Sequence, residues 1–239
     1  MALTNVDVEF YDEKIAQIDG YLHPATARAT MFLLDAQNEN GIEGNLLEIG
    51  VLGGRHLALM SRFTKPGTRC FGIDPFYLEG SSLEKVEQNI SEIGCDQNVE
   101  VIKARSDQFK HREYKKRFGP VRFMHIDGSH QYEDVLKDLA IAESVLKEDG
   151  LLSFDDFLNP YWLGVSQAMF EYMRKKPWRS AFRPVAFCRP KLFLCRAGSH
   201  KFYTQKFADF IEEWGGSLPL NGTPDRTSPV FGIRIPVLQ

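Results

Sequence analysis

Five short apolar runs, each separated from the next by a helix-length stretch, constrain this chain more than any other feature. Residues 46–51, 69–74, 99–104, 121–126 and 151–154 read as strands. Between them the pattern predicts helices over 54–64, 81–93, 107–117 and 131–147. The last of these carries Val135, Leu139, Ala142 and Leu146 on one stripe, with Gly150 as its stop. Links of that length allow parallel strands, and apolar strands of this kind belong to a sheet covered on both faces. The fold class is therefore α/β, with a mostly parallel sheet and helices on both faces.

Two helices, over 9–19 and 24–38, precede the first strand, and another is expected over 161–175. Strand-like runs at 182–187 and 191–196 are joined only by Cys188-Arg189-Pro190. That link is too short for a parallel crossover, so the two runs form an antiparallel pair. Residues 200–214 read as a helix with Phe202, Phe207, Phe210, Ile211 and Trp214 available for packing, and the tail ends in a strand-like run over 230–235. The 239 residues are expected to form one domain: an N-terminal helical cap (1–43), a core (44–196) and a C-terminal extension (197–239).

A formal net charge of −3 argues against a nucleic acid as main partner, which needs clustered Lys and Arg. The basic stretch over 111–117 is interrupted by Glu113 and reads as a solvated helix face. No apolar run reaches the ~20 residues of a membrane span, and the N-terminus has no signal-peptide pattern. Cys70, Cys95, Cys188 and Cys195 show no zinc spacing and read as reduced core thiols, although Cys188 and Cys195 flank the hairpin. A cytoplasmic protein is expected.

Ligands of open α/β sheets bind beyond the carboxyl ends of the strands. Strand one ends in Glu48-x-Gly50-x-x-Gly53-Gly54, a tight turn whose glycines let a ligand approach the backbone. Leu52 fills the second glycine position of the dinucleotide fingerprint, which weakens a nicotinamide reading. Asp74 ends strand two, where a carboxylate accepts ribose hydroxyls; it is equally a turn-former before Pro75. Ser106, after strand three, either contacts an adenine edge or caps a helix. Strand four ends in Asp127-Gly128-Ser129-His130 and strand five in Asp155-Asp156. Adjacent strands lie ~4.8 Å apart, so three carboxylates should converge and call for a hard cation such as Mg²⁺. His130 beside them is a candidate general base. His23, His56, His111, His125 and His200 show no shared ligand spacing.

These motifs, with Ile126-Asp127-Gly128-Ser129-His130 and Phe154-Asp155-Asp156-Phe157, resemble class I S-adenosylmethionine-dependent methyltransferases. More narrowly they resemble the macrocin-type O-methyltransferases, and at longer range the catechol O-methyltransferases. The resemblance spans residues 44–196. It implies a Rossmann-like seven-stranded sheet of order 3-2-1-4-5-7-6. It also implies a cofactor site of Glu48, Gly50, Gly53, Gly54, Asp74, Ser106 and Asp127 for S-adenosylmethionine. Asp127, Asp155 and Asp156 would hold Mg²⁺, with His130 as general base. Arg55-His56 departs from relatives that carry a small hydroxyl residue there, and the segment over 159–165 is expected to shape the acceptor pocket.

The expected activity is O-methylation of a small-molecule hydroxyl on a sugar, a catechol or a natural product. The rivals are a nicotinamide-dependent oxidoreductase, and a binding or hydroxylase-associated protein on the same fold. A homo-oligomer is compatible with the sequence.

Overall fold

The computed structural model describes residues 5–175, 182–215 and 226–238. Helices α1 (Asn5–Glu13) and α2 (Pro24–Glu39) lead into β1 (Asn45–Ile49), α3 (Arg55–Ser61), β2 (Cys70–Asp74), α4 (Leu83–Glu92) and β3 (Val99–Lys103). Then come α5 (His111–Phe118), β4 (Val121–Ile126), α6 (Tyr132–Val145), β5 (Leu146–Phe154) and α7 (Leu163–Lys175). The described chain closes with β6 (Arg183–Cys188), β7 (Lys191–Cys195), α8 (His200–Trp214), β8 (Thr227–Val230) and β9 (Ile233–Leu238).

The strand order is β3-β2-β1-β4-β5-β7-β6-β9-β8. The expected seven-strand order is present and extended at one edge by β9 and β8. β1 to β5 run parallel, β7 is antiparallel to both β5 and β6, and β9 joins β6 in parallel. The topology reverses between β1 and β4, which puts the ligand crevice of such a sheet at their carboxyl ends.

Alternation along the strands divides the core between two faces. Leu46, Phe123, Leu151 and Phe193 pack beneath α2, α3, α4 and α8, whereas Leu47, Met124, Leu152 and Leu192 pack against α5, α6 and α7. α8 belongs to the first layer, its Phe210 ring 5.5 Å from Phe32 and its Phe207 ring 5.9 Å from Phe193. Arg122, fully buried in β4, fastens α2 to the sheet by donating to Gln37 Oε1 at 2.6 Å and to the Phe63 carbonyl at 2.5 Å. Burial lowers this guanidinium to about 10.

Several boundaries differ from the sequence pattern. α6 ends at Val145 rather than at 147, and β5 begins at Leu146 rather than at 151, as Arg196 caps the last turn of the helix. That guanidinium donates to the carbonyls of Glu143 at 2.7 Å and Leu146 at 2.9 Å, and the freed chain pairs with β4 instead. The tail run over 230–235 breaks at Phe231-Gly232, both at positive φ, and becomes the β8–β9 hairpin. Helix 9–19 divides into α1 and a 3₁₀ turn at Ile15–Gln17.

All four cysteines are buried free thiols, and Cys188 and Cys195 sit at opposite ends of the β6–β7 hairpin, paired with Lys191 and Arg183. The basic stretch forms α5, which buries Tyr114 and Phe118 and exposes Arg112, Lys115, Lys116 and Arg117. Among the described residues no helix is long and apolar enough to cross a membrane.

Candidate active site

The site is organised by the contact between the ends of β1 and β4. The Asp127 N–H donates to the Ile49 carbonyl at 2.8 Å, and Gly50 follows at φ 89°. A Cβ on Gly50 would lie 1.8 Å from the Asp127 carbonyl oxygen, so no other residue fits while the two strand ends touch. Gly53 answers a different neighbour: its Cβ would lie 2.2 Å from the carbonyl oxygen of Asp19, in the segment between α1 and α2. Arg55 clamps that same segment by donating to the Ile18 carbonyl at 2.5 Å. The N-terminal cap thus sits directly on the glycine loop. Gly54, at φ 91°, opens α3.

Asp74 is woven into this loop. Its Oδ2 accepts from the N–H groups of Val51 at 2.7 Å and Leu52 at 3.0 Å, and its Oδ1 from Phe76 N–H at 2.6 Å. Ser106 caps no helix; its hydroxyl donates to Asp138 Oδ1 at 2.5 Å. Asp138 is buried on α6, and its carboxyl is pushed up to about 7 by that burial.

Beneath the loop lies a buried polar row that the sequence pattern did not reveal. The sheet register sets Glu48 beside His125 and His125 beside Ser153. His56, from α3, stacks on His125 with ring centroids 3.9 Å apart and places Nδ1 3.1 Å from Glu48 Oε1. His125 Nδ1 lies 3.2 Å from the Ser153 carbonyl and its Nε2 3.2 Å from Lys191 Nζ. Lys191 is 1% exposed and bonds to Asp155 Oδ2. Burial lowers both imidazoles well below their ordinary range, with Lys191 adding to the effect on each. It raises the Glu48 carboxyl well above its own range. Glu48 Oε2 and His56 Nε2 are buried without a hydrogen-bond partner.

At the ends of β4 and β5 the groups are wetter. His130 Nε2 lies 2.8 Å from Asp156 Oδ2 and 3.9 Å from Asp127 Oδ1. Trp162 stacks on the His130 ring, centroids 4.3 Å apart and 13° from parallel. Burial alone would raise the Asp156 carboxyl, but hydrogen bonds from His130 and Asn159 hold it below its usual value. Confinement, then the charge of Asp155, pushes the Asp127 carboxyl well up. Asp156 itself sits at φ 54°, a strained turn that Asp tolerates better than bulkier residues.

Three expected carboxylates therefore divide in two. Asp127, His130 and Asp156 offer ligand atoms within 4.8 Å of one another, and so do His125, Asp127 and Asp155. Asp155 already holds a buried cation, Lys191, from the antiparallel strand beside it. That lysine was invisible as a site residue because its proximity depends on a hairpin register. His56 and His125 were also missed, since 69 residues of sequence and two different elements separate them.

Residues 47–157 match the family model described as a methyltransferase domain. Among solved structures the fold is similar to CalS11, a TDP-rhamnose 3′-O-methyltransferase of calicheamicin biosynthesis. The identity is 18% and the TM-score 0.58, over 81% of this chain and 94% of that one. It is also similar to an O-methyltransferase from Bacillus cereus solved in complex with SAH, at 16% identity and TM-score 0.58, over 80% and 90% of the two chains. A third likeness is MycE, a methyltransferase of the mycinamycin pathway solved with Mg, SAH and mycinamycin VI. There the identity is 18% and the TM-score 0.55, over 82% of this chain but 54% of that one. No curated protein matches the sequence.

Proposed function

We propose that this chain, whose residues 47–157 match a methyltransferase-domain model, transfers a methyl group from S-adenosylmethionine to a hydroxyl oxygen of a small molecule. The observation that carries the reading is the contact between two unlike strand ends. A glycine cradle backed by the unpartnered Glu48 Oε2 adjoins the Asp127–His130–Asp156 cluster. The cradle and the orphaned carboxylate oxygen suit the cationic amino-acid end of the cofactor. Glu48, Gly50, Gly53, Gly54, Asp74, Ser106 and Asp127 are its proposed contacts, and bound there it supplies an electrophilic methyl group.

In the proposed reaction His130 accepts the proton of the acceptor hydroxyl as that oxygen attacks. Asp156 holds the imidazole through Nε2–H, which leaves the lone pair on Nδ1, and Trp162 fixes the plane of the ring. The donor set at Asp127 and Asp156, oxygen-rich and partly exposed, fits a hard divalent cation. Such an ion, Mg²⁺ by preference, would lower the pKa of an acceptor hydroxyl when bound. A sugar, catechol or natural-product hydroxyl is the proposed acceptor class, in keeping with the TDP-rhamnose and mycinamycin enzymes of the same fold. Exposed Leu158, Tyr161, Trp162 and Leu163 beside the cleft offer apolar contact to such a molecule.

Calorimetry with S-adenosylmethionine and, separately, NADH tests the cofactor. Binding of NADH alone would replace the reading with an oxidoreductase. Incubation of a metabolite extract with labelled S-adenosylmethionine then seeks a methylated product. His130→Ala should lower that turnover by about 10² to 10⁴ while leaving cofactor affinity within about threefold. An unchanged rate removes His130 from the chemistry.

A further inference from the structure

The pairing of Phe154 with Leu192 puts Asp155 opposite Lys191 across the β5–β7 ladder, both on the face that carries Glu48 and His125. Lys191 is fully enclosed there, its ammonium donating to Asp155 Oδ2 and to His125 Nε2. Once His125 Nδ1–H is donated to the Ser153 carbonyl, its Nε2 is an acceptor and welcomes that ammonium. Lys191 is the cation paired directly with Asp155. A divalent ion touching Asp155 would share a poorly solvated space with this fixed positive charge, where repulsion is strong. Among the described residues no lysine lies within ion-pair distance of Asp127 or Asp156, whose neighbour is His130, and their side chains are 32% and 16% exposed against 6% for Asp155. Two carboxylates suffice for Mg²⁺, which keeps several waters or substrate oxygens in its shell.

We infer that Lys191 withholds Asp155 from the divalent-cation site. Asp127 and Asp156 are then the carboxylates that bind the ion, and Lys191 sets the site's affinity for it. The inference rests on the metal-capable reading of the cleft given above. It departs from the three-carboxylate set that the sequence resemblance implies.

The test is a Mn²⁺ titration of the full chain, followed by the electron paramagnetic resonance signal of free Mn²⁺. No methyl donor or acceptor is present, so the outcome does not depend on whether methyl transfer is detected. Lys191→Met keeps the unbranched stem and removes the ammonium; it should bind Mn²⁺ at least tenfold more tightly than the unaltered chain. Asp155→Asn combined with Lys191→Met removes the pair without changing net charge, and its affinity should stay within threefold of the unaltered chain. Replacing a buried ion pair as a unit is often tolerated, so the double variant remains informative if Lys191→Met alone does not fold. Asp156→Asn should weaken binding at least tenfold. A double variant weakened tenfold makes Asp155 a ligand and overturns the inference. So does a folded Lys191→Met with unchanged affinity, or the absence of Mn²⁺ uptake by every variant.

Discussion

The two halves of the cleft are built on opposite physical terms. On the glycine-loop side, polar groups are spent on the protein itself. Asp74 takes three backbone N–H groups, Ser106 faces Asp138, and His56 stacks on His125 and meets Glu48 in the dry interior. At the ends of β4 and β5, Asp127, His130 and Asp156 stay partly exposed, and a 42%-exposed Trp162 lies against the imidazole. The first half is defined by shape, because a misplaced atom collides with backbone. The second is defined by charge and can accept new partners. The proposed binding of a constant cofactor against a variable acceptor calls for one half of each kind.

The largest effect should come from breaking the shape of the first half. Gly50→Ala drives a Cβ into the Asp127 carbonyl at a positive φ, and it should cost about 4 kcal/mol or more. Chemical denaturation reads that cost and calorimetry should find cofactor binding lost. A variant that unfolds at the same denaturant concentration as the parent would show that the two strand ends can separate freely.

Asp138→Asn probes the price of dryness. The folded carboxyl holds its proton up to about 7, while the ordinary value is 3.8, so the folded state binds more protons in between. Stability contributed by this group is therefore present below about pH 4 and lost as pH rises through about 7. Asparagine carries no such slope. The variant should gain on the parent by up to about 4 kcal/mol between pH 4 and pH 8, read as a widening gap in urea midpoints. A gap that stays constant with pH would mean that Asp138 is ionised throughout.

The smallest effect belongs to the open half. Trp162→Ala removes a half-exposed ring and should change stability by less than about 1 kcal/mol, with cofactor affinity within about twofold. Turnover should fall several-fold as the His130 plane is released. A stability loss comparable with that of Gly50→Ala would place Trp162 in the core and erase the contrast between the halves.

The fold was legible because it follows from local pattern. Val121–Ile126 and His200–Trp214 stand where periodicity put them, and the short Cys188-Arg189-Pro190 link dictated an antiparallel hairpin. The end of α6 was not legible, since Arg196 acts on it from fifty residues away. Among site residues, Gly50, Asp74, Asp127, His130, Asp155 and Asp156 could be named because each ends or follows a strand. What each touches could not be named. Asp74 turned out to bind the glycine loop, and His130 to engage Asp156.

Sequence by itself determined the strand–helix rhythm and the gathering of glycines and acids at one edge. These depend on periods of 2 and 3.6 residues and on turn chemistry, which short stretches carry in full. Tertiary structure alone decided that Asp155 meets Lys191, that His56 stacks on His125, and that Asp19 rests on Gly53. Each of those contacts depends on register between strands or on packing between distant elements. Electrostatics in a low-dielectric interior is then set by who the neighbour is, and one buried lysine changes what a row of carboxylates can hold.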